Sequence, residues 1–411
     1  MMYSIFLWLL VWGGMFTGWQ NFYYYLANAS NTAITTMQIF QAARALFPLL
    51  AIFLCFLWYL KDRSKFPFAK DPLGFFFLYG LLGMLTSFFL SVSQDYALYN
   101  AAIFLAPLFV IWCVHDNENY RTILRNVIYV NYAIFFFLTF AMLPSAYRIG
   151  RGFASFTTVY DLPFGFGQVN RNGVGRYALI VIIVSAVRIL TDQRRRRYVW
   201  VIPLTPALFL LAQTQSRTSL LGLAVASVLF IFLRGLNWRF LFAGPVVAFI
   251  LFTAGYQVRA GGHLDALLSL TGREATWIKS WNMIKESPYL GWGFYADRIM
   301  FSGEHVHNSY LHALLQVGVV GALFFLAAIL SFWFIMFRSN IFRQCRELRG
   351  SDQAVLMESI MIVAFLSSRT FFESTAAFYG VDLLLIIPAM AFISLFTGRT
   401  PGGVGVLAED A

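Results

Sequence analysis

Runs of about twenty apolar residues recur along this chain, for example "PLGFFFLYGLLGMLTSFFL" at Pro72–Leu90 and "VGVVGALFFLAAILSFWFIMF" at Val317–Phe337. Each is long enough to cross roughly 30 Å of hydrocarbon as a helix. In lipid, every backbone N–H and C=O must be satisfied within the protein, so runs of this length read as helices. Of the 411 residues, 59% are hydrophobic and only 12% charged, about half the charge of a soluble domain. The expected fold is therefore an all-α polytopic membrane protein of about 12 transmembrane helices. The spans fall near 2–19, 37–60, 72–91, 97–114, 126–144, 173–190, 198–213, 218–233, 240–256, 310–337, 354–372 and 376–396.

An even number of spans puts both termini on one side. One set of short loops holds Lys61, Arg63, Lys65 and Lys70, then Arg121 and Arg125, the run Arg194–Arg197, Arg234 and Arg239, and finally Arg338, Arg343, Arg346 and Arg349. Such clustering next to span ends marks the cytoplasmic side, so both termini are expected there. The net charge of +11 is accounted for by this topology signal facing anionic lipid, and no nucleic-acid partner is needed. The first run lacks a basic n-region and a small-x-small site and reads as an uncleaved span. Three organisational blocks follow: spans one to nine in 1–256, a large outer loop in 257–309 bearing short helices, and spans ten to twelve with a short tail in 310–411.

The outer face is basic against the topology rule, with Arg148, Arg151, Arg171, Arg176, Arg217, Arg259, Arg273, Lys279, Lys285, Arg298 and Arg369. A set of guanidinium groups at a membrane surface suits an anionic ligand, because each fork grips phosphate through two N–H bonds. Arg217 stands between two spans joined by almost no loop, beside Gln213, Thr214, Gln215 and Ser216. In "LTGREATWIKSWNMIKESP", Thr271 and Glu274 form a capping box that starts a helix near Gly272 and ends it before Pro288. Trp277, Ile278, Trp281 and Ile284 make its apolar stripe, as in a helix lying in the interface plane. Arg273 then sits in the first turn, where the macrodipole disfavours a cation unless an anion binds there too.

Three of the five histidines, His305, His307 and His312, precede or open the next span. Asn308 or Ser309 can cap that helix, leaving His307 just outside and His312 one turn in. Beside a helix N-terminus and several arginines, His307 is expected to be neutral and able to accept a proton. His312 is expected to pack within the bundle. Neither the histidines nor Cys55, Cys113 and Cys345 show metal-ligand spacing, so no metal or cofactor is expected.

"GREATWIKSWNMIKESPYLGWGF" paired with "HVHNSYLHALLQVGVVG" resembles the signature of the O-antigen ligase and O-antigen polymerase superfamily. The matching positions are Gly272, Arg273, Trp277, Ser287, Pro288, Gly291, Gly293, His307, Asn308, Leu311, Gly318 and Gly321. "SRTSLLGL" places the family's Ser-Arg segment on Arg217, and "GQVNRNGVGRYA" resembles a further family segment through Asn170, Arg171 and Asn172. The likeness covers about 165–330. It implies a membrane-embedded glycosyltransferase of the C type in the bacterial inner membrane, acting at the periplasmic face on a glycan carried by undecaprenyl diphosphate. No Asp-x-Asp occurs in the chain, so arginines would take the metal's place at the diphosphate. The roles then implied are Arg217 and Arg273, with Arg171, Arg176 or Arg259, on the diphosphate, and His307 as base. His305, Asn308, Asn170, Asn172 and Trp277 would support them. The acceptor is the lipid A core for a ligase, the first reading, or a second lipid-linked glycan for a polymerase. A transporter of an anionic solute, with Arg44, Glu358 and Asp382 along its path, is the rival from another class; no internal repeat or paired broken spans support it.

Overall fold

The computed structural model describes residues 2–15, 43–61, 72–115, 117–149, 159–161, 168–192, 195–235, 246, 249–250, 273–301 and 304–397. In chain order the helices are α1 Met2–Gly13, α2 Phe47–Lys61, α3 Pro72–Leu90, α4 Gln94–Cys113 and α5 Tyr120–Ile149. After a short ribbon come α6 Arg171–Thr191, α7 Val201–Thr214, α8 Arg217–Arg234, α9 Arg273–Glu286 and α10 Ala296–Met300. The chain continues with α11 Ser309–Arg338, α12 Ile341–Glu347, α13 Gly350–Arg369 and α14 Val381–Thr397. Among the described residues seven helices are long and apolar enough to cross a membrane, with shorter apolar helices at Met2–Gly13, Phe47–Lys61 and Val381–Thr397. The protein is thus an all-α polytopic membrane protein. Helices stand where spans were expected, except that 240–256 falls almost wholly outside the described residues, as does Arg259.

Two features depart from an all-helical expectation. The ribbon pairs β1 Val159–Asp161 with β2 Gln168–Asn170, antiparallel. Also, α11 is broken at Gly318, whose φ of 64° and ψ of −169° are not helical. The break frees ladder groups on either side, and the segment before α10 takes them up. Trp292 N–H donates to Leu315 C=O at 2.9 Å, Gly293 N–H to Gln316 C=O at 2.8 Å, and Val319 N–H to Pro288 C=O at 2.8 Å. The two backbones lie so close that a Cβ on Gly318 would stand 2.2 Å from the carbonyl carbon of Tyr289, and one on Gly291 2.6 Å from Gln316. Gly291 and Gly318 are therefore architectural: they let the segment Pro288–Gly293 lie flat on α11.

Helix α6 is apolar on every face, with Ala178, Leu179, Ile180 and Val181 wholly buried, and it packs against α5, α7, α8 and α13. A helix apolar all round belongs inside a bundle. Outward-facing Phe53, Phe56, Phe88, Phe89, Leu330 and Phe334 are each more than half exposed, an arrangement suited to contact with lipid chains. Two clusters of buried polar groups inside the bundle are matched. Asn131 Oδ1 accepts from both Trp8 and Trp12 indole N–H groups at 2.7 Å, and its Nδ2 donates to Leu384 C=O at 2.8 Å. Arg188 holds Glu358 through Nε at 2.5 Å and Nη2 at 3.2 Å.

Candidate active site

One end of the bundle gathers the N-termini of α6, α8, α9 and α11 and the C-terminus of α13. Arg171, Arg217 and Arg273 are each the first residue of a helix. All three line one cavity of about 250 Å³ together with Asn172, Thr218, Leu221 and Phe372. The placement follows from local structure. Asn170 caps α6, accepting from Gly173 N–H at 2.8 Å, which holds Arg171 at the mouth. The polar residues before Arg217 serve the fold: Gln213 Oε1 accepts from Tyr160 O–H at 3.2 Å, and its Nε2 donates to Ala146 C=O at 2.9 Å. Gln215 turns the chain with φ 48°. A Cβ on Gly175 would meet Ser216 at 2.7 Å, so α6 presses directly on this corner. Arg217 is what the corner presents.

Arg273 donates through Nη1 to Phe372 C=O at 2.6 Å and through Nη2 to Glu373 Oε1 at 2.9 Å. Asn172 Nδ2 donates to the same oxygen at 3.0 Å. The other carboxylate oxygen, Oε2, lies 3.0 Å from Nδ1 of His307. Glu373 thus joins the arginine cavity to the histidine. Burial opposes its ionisation, but the hydrogen bond from His307 and the nearby positive charges of Arg369 and Arg273 outweigh it and hold the carboxyl at about 2. The carboxylate is charged at any working pH. Facing a permanent acceptor, Nδ1 of a neutral His307 carries the proton, which leaves Nε2 with the lone pair. The side chain of His307 is 34% exposed and its φ of 52° lies in the left-handed region, a strain tolerated where a side chain must be aimed.

The strap between α13 and α14 is stitched to the start of α11. Asn308 caps α11 through Tyr310 N–H and Leu311 N–H at 3.0 Å, and its Nδ2 donates to Phe371 C=O at 3.0 Å. Ser309 Oγ lies 2.9 Å from the carbonyls of Glu373 and Thr375. Trp277 donates its indole N–H to Val306 C=O at 2.7 Å, fixing the residue before His307. The stripe expected on α9 divides: Trp277 and Ile284 pack inward, whereas Ile278 is 64% and Trp281 52% exposed.

His305 is not part of that network. Its Nδ1 lies 3.3 Å from Asp297 Oδ2, and Arg298 donates to its Nε2. Burial pushes His305 down to about 4 against the pull of Asp297, so the ring is neutral at pH 7. His312 is wholly buried with Nε2 3.2 Å from Asp297 Oδ1, packed within the bundle. Asp297 is itself fully buried; burial disfavours its charge, yet His312 and His305 hold it well below the usual carboxylate range. Arg176 does not line the arginine cavity; it pairs with Asp382 at 2.8 Å.

Glu373 and Asp297 are absent from the sequence-based site candidates, and the buried Arg369, which is 4% exposed, enters them only as one of the basic residues of the expected outer face. Glu373 carried one usable signal, as an acid in the polar turn "RTFFEST" between the last two apolar runs. Among the described residues no group of three or more His, Cys, Asp or Glu has the geometry to hold a metal ion.

Comparison with known proteins bears on this region. No curated protein matches the chain. A family model described as O-antigen ligase matches residues 202–326, a stretch that contains Arg217, Arg273, Trp277 and His307. Over residues 202–326 the chain is similar to the O-antigen ligase family.

Proposed function

We propose that this protein is a periplasmic-face glycosyltransferase that moves a glycan from undecaprenyl diphosphate to an acceptor hydroxyl. The observation that carries the proposal is Glu373: one oxygen holds Arg273 of the arginine cavity at 2.9 Å and the other holds His307 at 3.0 Å. An anion cradle and a proton acceptor are thereby fixed one carboxylate apart. Three helix N-termini, each headed by an arginine, turn positive dipole ends and guanidinium groups to one cavity, a setting that suits a diphosphate.

In the reaction, His307 Nε2 takes the proton of the acceptor hydroxyl as its oxygen attacks the anomeric carbon. The carbon–oxygen bond to phosphate breaks, and its electron pair leaves with the lipid diphosphate. Arg171, Arg217 and Arg273 stabilise the charge that grows on that leaving group, the largest single contribution available to such a site. Arg273 also carries the bond that orients Glu373. The basic loops at the opposite end of the bundle would face the cytoplasm, with about twelve spans and both termini there, as in a C-type glycosyltransferase of the inner membrane. The lipid A core is the first acceptor to test.

The experiment uses purified protein with a lipid-linked glycan donor and lipid A core as acceptor. Transfer that is lost in Arg217→Lys and Arg273→Lys, with both variants folded, supports the cradle. Full transfer in both would remove it, because lysine keeps the charge and loses only the planar fork.

A further inference from the structure

A second cavity, of about 320 Å³, opens at the same end of the bundle. The two cavities share walls. Arg171 and Asn172 of α6 line the first, and Arg176 and Tyr177, one helical turn further along, line the second. The strap divides them, with Phe372 on the first cavity and Ser374 and Phe378 on the second. Glu373, which holds His307, stands in the strap between Phe372 of the first lining and Ser374 of the second.

Their chemistry differs. The first cavity has three arginines and no carboxylate in its lining. In the second, the one arginine is paired: Arg176 Nη1 sits 2.8 Å from Asp382 Oδ1. The lining of the second cavity therefore carries one positive and one negative charge, with the buried Arg369 behind it 4.0 Å from Asp382, and it is walled by aromatic rings. Tyr96 and Tyr295 meet edge-on at 5.9 Å, Tyr295 and Phe378 at 5.3 Å, and the Arg176 guanidinium lies over Tyr177 at 5.2 Å. Ser374 Oγ and Arg176 Nε, both in lining residues, are buried with no hydrogen-bond partner among the described residues. Buried polar atoms are nearly always satisfied, so two orphans beside one cavity point to a ligand that supplies partners.

We propose that this second cavity binds a neutral glycosyl unit of the acceptor, the sugar whose hydroxyl is presented to His307. The proposal rests on the glycosyl-transfer reading above. Aromatic rings offer apolar faces to the C–H side of a sugar ring, while Asn100, Ser374 and the Arg176–Asp382 pair offer donors and acceptors to its hydroxyls. The volume sits at the small end of ligand sites, about 300–1,000 Å³, enough for a sugar unit rather than a whole chain. An anionic ligand would gain nothing from a balanced pair and would favour the arginine cavity.

The test measures steady-state transfer by the full-length protein, with a lipid-linked glycan as donor and lipid A core as acceptor, each varied in turn. Ser374→Ala is the primary variant, because among the described residues no group bonds to that hydroxyl; thermal midpoint, measured alongside, checks that the fold is kept. Tyr96→Leu is the second variant and removes one ring. Both should raise KM for the acceptor, about 3- to 10-fold for one lost hydrogen bond or ring contact, with donor binding and donor KM unchanged. An unchanged acceptor KM in both variants, or a rise in donor KM instead, would overturn the assignment. Absence of transfer by the wild-type protein would overturn the glycosyl-transfer reading itself, and this proposal with it.

Discussion

Replacing Glu373 with Gln changes no volume and removes one charge, so its effect can be worked from the contacts. Three donors meet this carboxylate: Arg273 Nη2 and Asn172 Nδ2 at one oxygen, and the Nδ1 of His307 at the other. Glutamine offers one oxygen and one NH₂. Placing its oxygen toward Arg273 and Asn172 keeps two of the three bonds, and the NH₂ then faces His307 Nδ1. That nitrogen must become the acceptor, which moves the ring proton to Nε2 and removes the lone pair a base needs. Loss of a general base is worth about 10²–10⁴-fold in rate, and a histidine trapped in the wrong tautomer falls at the upper end of that range. The stability cost should be about 1–3 kcal/mol, since most hydrogen bonds survive and only the charge is lost. Donor affinity should hold or rise, because a negative charge beside the diphosphate site has gone. The assay is transfer from a purified lipid-linked glycan in proteoliposomes, with donor binding and thermal midpoint measured on the same preparation. A rate within about threefold of wild type would refute the argument that Glu373 sets the state of His307.

The backbone contact between the outer loop and α11 makes Gly318→Ala severe: the left-handed backbone costs about 1–3 kcal/mol, and the Cβ would stand 2.2 Å from Tyr289. Gly350→Ala is the matched control, at φ 73° with nothing within 4 Å of its Cβ, and should shift the thermal midpoint far less. Arg188→Met should destabilise by about 3–5 kcal/mol because it leaves Glu358 buried and unpaired, and the double variant Arg188→Met with Glu358→Leu should recover most of that loss. His305 predicts a pH dependence. Its folded value of about 4 lies below the ordinary 6.5, so the unfolded chain takes up this proton first. Its contribution is complete above about pH 6.5 and is lost as pH falls toward 4, up to about 3 kcal/mol. His305→Gln should flatten the thermal midpoint over that interval, and an unchanged slope would remove His305 as its source.

Much of the architecture was legible because lipid imposes one rule on every span. Pro72–Leu90 and Arg171–Thr191 could only be helices of about their observed length. Capping chemistry was equally local: Asn308 caps α11, whereas the capping box expected at Thr271 lies outside the described residues. What could not be read is what the bundle assembles from distant parts. Glu373 gains its meaning only when the strap folds onto the start of α11, through bonds such as Ser309 N–H to Thr370 C=O at 2.8 Å. Arg176 reads in sequence like its neighbour Arg171, yet one helical turn carries it to another cavity and a partner on α14. Gly291 and Gly318 stand in the sequence only as motif positions, and prove to be where two backbones touch. Spacing along a chain reports local geometry; it does not report which end of another helix will arrive alongside.

The central claim is that His307 moves the acceptor's proton while the arginines hold the donor. Transfer and donor binding should therefore be measured side by side in purified His307→Ala, with His305→Ala in parallel. Transfer should fall by about 10²–10⁴-fold in the His307 variant while the lipid-linked donor still binds with near wild-type affinity. The His305 variant should keep measurable transfer, since its ring is bonded to Asp297 and Arg298 rather than to Glu373. Normal transfer by the His307 variant, or loss of donor binding together with transfer, would contradict the division of labour between the histidine and the arginines.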